Sequence, residues 1–136
     1  MSMCDGACPK LCITNRQLLT GTREDTPEVR AVFLARLEEI AQGHLANGVI
    51  LREKDLSAQQ YASLARAVYD VCRRYELPLI LHRFSAVAEE FAPPLPVHLS
   101  MPDFLAWREQ NPSGNPIPAV GVSTHTVDEA VEAQRL

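Results

Sequence analysis

Short apolar runs alternate along this chain with stretches in which apolar residues recur every three or four positions. The first pattern marks strands and the second marks one buried face of a helix. Residues 11–14 (LCIT) open the series, and residues 20–26 form a polar loop. Thr26-Pro27-Glu28 then predicts a helix start: threonine caps, proline suits the first helical position, and glutamate suits the positive end of the helix dipole. Val29, Phe33, Leu37, Ile40 and His44/Leu45 mark its inner face, and Asn47-Gly48 ends it. Residues 48–52 (GVILR) form a second strand, apolar on both faces as buried parallel strands are. Ser57 and Gln60 make a capping box, with Tyr61, Leu64, Val68, Cys72 and Tyr75 following at helical spacing up to Pro78. Residues 79–82 (LILH) are a third strand, residues 85–91 a short helix, and residues 97–99 a fourth strand after the stiff Pro93-Pro94-Leu95-Pro96 connector. Pro102 opens a helix with Phe104, Leu105 and Trp107, and a Pro/Gly/Asn-rich loop (residues 111–118) leads to the fifth strand, residues 119–123 (AVGVS). Thr126 and Glu129 suggest a further capping box.

Strands alternating with helices define an α/β fold with a parallel sheet and right-handed crossovers. Five such units form either a small doubly wound sheet or part of a (β/α)₈ barrel, and periodicity does not choose between them. Five are too few to close an eight-stranded barrel. With no stop signal at Gln134-Arg135-Leu136, the chain reads as a partial product or a fragment. Its 136 residues suit one domain spanning 1–136, long enough to bury a core without staples.

Charge narrows the partners. The net charge is −4 and no block of like charges exists, Arg73-Arg74 being the densest basic spot. Nucleic acid and anionic membranes are therefore poor partners. No signal peptide or membrane-spanning run is visible, which makes the cytoplasm the expected compartment and reduced thiols the expected state of the four cysteines. Cys4-x₃-Cys8-x₃-Cys12 matches no standard zinc spacing. Cys12 lies in a strand and Cys72 on a helix face, where both are expected to be core residues.

In parallel α/β folds, sites form at the C-terminal strand ends. Arg52, Glu53, Lys54 and Asp55 follow the second strand. Alternation sends Arg52 and Lys54 to one side, where two cations suit a phosphate or diphosphate. The alternative is a solvated loop in which Glu53 and Asp55 neutralise both cations. His125, after the fifth strand, suits proton exchange near neutral pH, and Ser123 suits donation to a phosphate oxygen; the alternative is a water-facing histidine before a helix cap. His82 and Arg83 end the third strand. His98, inside the fourth, is expected to pack. Asp103 is either a first-turn helix carboxylate or a site residue. No Gly-rich phosphate loop, zinc signature or nucleophile elbow is present.

Three segments in order, Ile13-Thr14-Asn15-Arg16, Leu51-Arg52-Glu53-Lys54-Asp55-Leu56-Ser57 and Gly121-Val122-Ser123-Thr124-His125-Thr126, resemble the thiamine-phosphate synthase family. The resemblance implies a (β/α)₈ barrel with its site at the C-terminal strand ends, of which this chain carries the first five β/α units. It also implies one of two activities. Synthases join a hydroxymethylpyrimidine diphosphate to a thiazole phosphate with Mg²⁺ help. Thiazole tautomerases (TenI-like) move a proton on a thiazole carboxylate phosphate without a cofactor, using a histidine that His125 matches. The resemblance places Arg52, Lys54 and Ser123 on phosphate. Departures separate the branches. Ile50 stands where synthases carry glutamine. His82-Arg83 stands where they carry Asn-Asp with the aspartate on Mg²⁺, so those two side chains are expected to contact substrate or phosphate instead. Asp103 matches the later Mg²⁺ aspartate. The tautomerase branch is the expected one, with a synthase as alternative. A non-catalytic partial barrel, binding ligand or pairing with a second chain over its open edge, is the reading from another class. The expected partners are thiazole or pyrimidine phosphates and possible homo-oligomers.

Overall fold

The computed structural model describes residues 10–111, 117 and 119–123, apart from the side chains of Leu19 and Ser123. Ten elements are described, strand and helix alternating except that α1 and α2 follow one another: β1 (Leu11–Ile13), α1 (Arg16–Thr20), α2 (Pro27–Gln42), β2 (Gly48–Leu51), α3 (Ala58–Arg74), β3 (Leu79–His82), α4 (Ser85–Glu89), β4 (Val97–Ser100), α5 (Met101–Gln110) and β5 (Val120–Ser123). The strands form one sheet in the order β1-β2-β3-β4-β5, and β1 with β2, β3 with β4 and β4 with β5 pair in parallel. That order resolves the choice left open above. A doubly wound sheet reverses its strand order at a switch point, whereas successive units of a barrel add each strand beside the last. The fold is α/β and consistent with part of a barrel.

The chain divides into two compact units, one up to Leu79 and one from Ile80 onward. In the first, the Thr26 side chain accepts from the Val29 amide and Pro27 fills the first turn of α2. The Ser57–Gln60 capping box starts α3. Phe33 and Leu37 on α2, Val49 and Leu51 on β2, and Tyr61, Leu64 and Val68 on α3 are fully buried, each such side chain contributing about 1.5–3 kcal/mol. Cys72 joins this core, and burial pushes its thiol up to about 11. Cys12 is only half-buried, with its thiol raised by the same cause. Cys4 and Cys8 lie outside the described residues.

Two departures from the periodicity occur here. Helix α1 occupies residues that carry no apolar repeat, because five residues are held by their ends instead. The Asn15 side chain accepts from the Leu18 amide, and Gly21, at φ 84, donates its amide to the Gln17 carbonyl. A side chain at that φ would be strained. Helix α2 stops at Gln42, before Leu45, which is exposed. Gly43 caps it and His44 adopts φ 53 to turn the chain toward β2, so the last step of the apolar pattern is loop. β2 also has a half-buried face: Ile50 and its β1 partner Ile13 share one side of the sheet, where Ile13 is 58% exposed.

In the second unit, β3 matches its predicted bounds and α4 ends two residues early. β4 runs one residue further, because Ser100 both ends the strand and caps α5, accepting from the Asp103 amide. The register Leu81–Val97–Val120 lies beside His82–His98–Gly121, so one face of these strands carries Leu and Val and the other carries the two histidines. The Thr126/Glu129 capping box lies outside the described residues.

Candidate functional site

The best-built polar cluster of the first unit stands at the C-terminal ends of β1 and β2. Its centre is Arg16, whose side chain is 3% exposed. One guanidinium nitrogen reaches Glu53 at 3.1 Å and the other reaches Asp55 at 2.8 Å. Helix α1 exists to place this residue: Asn15 caps it, and the Arg16 backbone amide itself donates to Glu53 Oε1 at 3.1 Å. Glu53 is equally buried and takes a third bond from the Thr14 hydroxyl at 2.7 Å. The same hydroxyl oxygen accepts the Arg52 amide at 3.0 Å. Tyr61, at the start of α3, donates its hydroxyl to the Leu51 carbonyl. The backbone on either side of Arg52 is thereby fixed from three elements.

Buried charges are retained only when paired and hydrogen-bonded, and here the acids pair with Arg16. The alternative in which Glu53 and Asp55 neutralise Arg52 and Lys54 is thus corrected. Glu53 turns inward, where it meets a buried cation, while Arg52 and Lys54 on either side of it are exposed. The strand alternation persists through this turn, and neither cation has an ion pair among the described residues. Asp55 feels the arrangement electrostatically: the hydrogen bond from Arg16 holds its carboxyl below the usual value, with Arg23 adding in the same direction. A pocket of about 130 Å³ opens here, lined by Asn15, Arg16, Gln17, Arg23 and the turn of residues 52–55.

Arg16 and Thr14 entered the sequence reading only as letters of the Ile13-Thr14-Asn15-Arg16 segment, and Arg23 only as part of a polar loop. The available signal was position. An arginine directly after a β1 strand end, with Asn at the preceding cap position, sits where parallel folds build sites.

The second unit holds the other candidates. His82 and His98 are register partners on β3 and β4, with their rings stacked at 6.0 Å. His98 thus packs, as expected, but against the other candidate histidine. Gly121 lies beside His98 on β5, and a Cβ there would come within 2.9 Å of His98 Nδ1. Arg83 follows at φ 78, a left-handed conformation costly for a side-chain-bearing residue and typical of strand ends that shape sites. Its amide donates to the His98 carbonyl at 2.9 Å, and its guanidinium lies 5.2 Å from the Phe84 ring centre. Asp103 is exposed in the first turn of α5. Among the described residues no three His, Cys, Asp or Glu side chains gather as a metal site. Ser123 ends β5 opposite Ser100; its side chain and the whole of His125 lie outside the described residues. No described helix is long and apolar enough to cross a membrane.

Parallel β/α units whose strands follow one another in chain order define the class: an α/β fold consistent with part of a (β/α)₈ barrel. The comparisons give the family. The family model described as thiamine monophosphate synthase matches residues 17–136. A thiamine-phosphate synthase from Caldanaerobacter subterraneus subsp. tengcongensis is 31% identical over 111 residues, which is 82% of this chain and 51% of that protein. This chain belongs to the thiamine monophosphate synthase family, and it spans about half the length of the curated relative it matches.

Proposed function

We propose that this chain contributes to thiamine biosynthesis by binding a phosphorylated thiazole at the ends of β1 and β2 and moving a proton on it, as a thiazole tautomerase does. The observation that carries the phosphate part is the sequestration of Glu53 and Asp55 by Arg16. It leaves Arg52 and Lys54 exposed and without a carboxylate partner among the described residues, suited to phosphate oxygens. In this reading His125 exchanges the proton and Ser123 donates to phosphate, both assigned by the motif they share with the family. The resemblance likewise assigns His82 and Arg83 to substrate or phosphate contact.

The second reading is the synthase reaction, favoured by the relative's name. It calls for Mg²⁺ bridged by carboxylates. Of the two positions that the resemblance gives to Mg²⁺, one keeps its carboxylate as Asp103 and the other, after β3, is Arg83. A hard cation bound through oxygen ligands is poorly served by that set, and the tautomerase reading, which needs no cofactor, fits it better. The working compartment in either case is the cytoplasm.

Calorimetric titration with thiazole phosphate and with thiamine phosphate, with and without Mg²⁺, tests both readings. Micromolar binding of the thiazole phosphate without Mg²⁺, together with tautomer turnover abolished by His125→Ala, is expected. Binding that requires Mg²⁺ would favour the synthase. No binding of either compound would mean that the chain by itself is a non-catalytic partial barrel.

A further inference from the structure

The peptide group that links β2 to the turn after it is held by side chains rather than by the sheet. The Thr14 amide donates to the Ile50 carbonyl at 3.0 Å. A parallel ladder carried one step further would send the Arg52 amide to the Thr14 carbonyl. That amide goes instead to the Thr14 hydroxyl oxygen, at 3.0 Å. The carbonyl of the same peptide group, that of Leu51, accepts from the Tyr61 hydroxyl. Both polar atoms of the Leu51–Arg52 link are thus committed to buried side chains, Thr14 and Tyr61.

The hydroxyl of Thr14 has a single proton to donate and lone pairs with which to accept. Its proton goes to Glu53 Oε2 at 2.7 Å. A carboxylate only accepts, so the direction of this bond is fixed and a hydroxyl lone pair is left facing the Arg52 amide. Glu53 is itself held in place, its Oε1 accepting from the Arg16 amide and from Arg16 Nη1, each at 3.1 Å. Hydrogen bonds joined in series in this way polarise and strengthen one another. Thr14, Glu53 and Arg16 are buried, whereas Arg52 is exposed and lines the pocket. Thr14 does not line it.

We infer that Thr14 is a positioning residue for this pocket: it sets the backbone from which Arg52 projects, and does so without meeting the ligand. The inference rests on the proposed use of Arg52 as a phosphate contact, and the test separates the two. Its chemical content is specific. Serine keeps both the donor and the acceptor of threonine, while valine keeps the shape and has neither. With valine at position 14, the Arg52 amide and Glu53 Oε2 each lose a partner, and the turn of residues 52–55 settles with Arg52 displaced.

The full chain is titrated calorimetrically with thiazole phosphate, with EDTA present, as wild type, Thr14→Val, Thr14→Ser and Val68→Ala. Val68 is buried on α3 and does not line the pocket, so Val68→Ala loses stability by a route that leaves Arg52 alone. Circular dichroism checks that each variant is folded at the temperature of titration. Thr14→Val should bind about tenfold more weakly than wild type and Thr14→Ser within about twofold of it, with Val68→Ala unchanged. In NMR spectra the Arg52 amide proton should move upfield in Thr14→Val and stay in place in Thr14→Ser. Wild-type affinity in Thr14→Val, or an equal loss in Val68→Ala, overturns the role of Thr14 and leaves the phosphate reading standing. Should Thr14→Val not fold, Thr14→Cys, whose thiol is a weak donor and acceptor, takes its place, and wild-type affinity there overturns the role equally. If wild type does not bind thiazole phosphate, the phosphate reading fails and this inference with it.

Discussion

A single buried arginine organises the strand-end cluster of the first unit, and its energetics follow from its burial. Arg16 and Glu53 are both nearly inaccessible, and breaking one side of such a pair leaves an uncompensated charge costing about 3–5 kcal/mol. Asp55 still faces Arg16 at 2.8 Å, so Glu53→Gln is expected at the lower end, about 3 kcal/mol, read from urea denaturation. A loss under 1 kcal/mol would show that the pair contributes little. Asp55 gives a pH signature. Its carboxyl titrates below its ordinary value because Arg16 hydrogen-bonds the charged form. The stabilisation is therefore complete above the unfolded carboxylate value of about 3.9 and disappears as pH falls through the lower folded value. Asp55 is about half exposed, so solvent screens the effect and it is small. Asp55→Asn should flatten the acid limb of stability below pH ~4 while leaving its slope near neutrality unchanged. At this scale the sequence was only partly legible. Arg52 and Lys54 are exposed and Glu53 between them is buried, but nothing in local spacing says that Glu53 turns inward to a residue 37 positions earlier. Ion pairing of that kind depends on strand adjacency, which periodicity does not encode.

Elements were read more fully than residues, because each carries its own physical signature. Proline at the first turn and a threonine cap located α2, and a reciprocal capping box located α3. The strands followed from apolar runs bounded by Pro, Gly and Asn. Helix α1 escaped because five residues contain no period to detect, only a cap at each end. Leu45 misled because its spacing fits a helix that Gly43 had already stopped. The β4–β5 pairing makes a testable point of its own. Gly121 lies against His98 so closely that a methyl group would sit 2.9 Å from Nδ1. Gly121→Ala should therefore displace the imidazole, cost about 1–3 kcal/mol as overpacking does, and shift the ring resonances of both stacked histidines in NMR spectra. Unperturbed resonances would mean that the strands separate to admit the methyl.

For the molecule as a whole, a local and a global charge oppose each other. The chain carries a net charge of −4, yet the pocket after β1 and β2 presents more cations than acids. An approaching anion is repelled at long range and attracted at contact. Raising ionic strength from 0.01 to 0.15 M shortens the Debye length from about 30 to about 8 Å, which weakens both effects. Thiazole phosphate should consequently lose only a few-fold in affinity across that range. A hundredfold loss would show that long-range repulsion does not offset the attraction at contact. The sequence order of the strands, repeated in the sheet, was anticipated as one of two possibilities, and the choice between them required pairings that a linear pattern does not contain.

The Arg16–Glu53–Asp55 arrangement also constrains how this chain can drift. Arg16 and Glu53 are each tolerable only while the other persists, because each alone would be a buried charge. In a library randomising the three positions together, survivors should keep the Arg16–Glu53 pair or replace both by uncharged residues, with single changes at Arg16 or Glu53 depleted and changes at half-exposed Asp55 tolerated. The Arg-Glu-Lys segment would then be preserved less by what its acid does to a ligand than by a debt of compatibility to an arginine three dozen residues away.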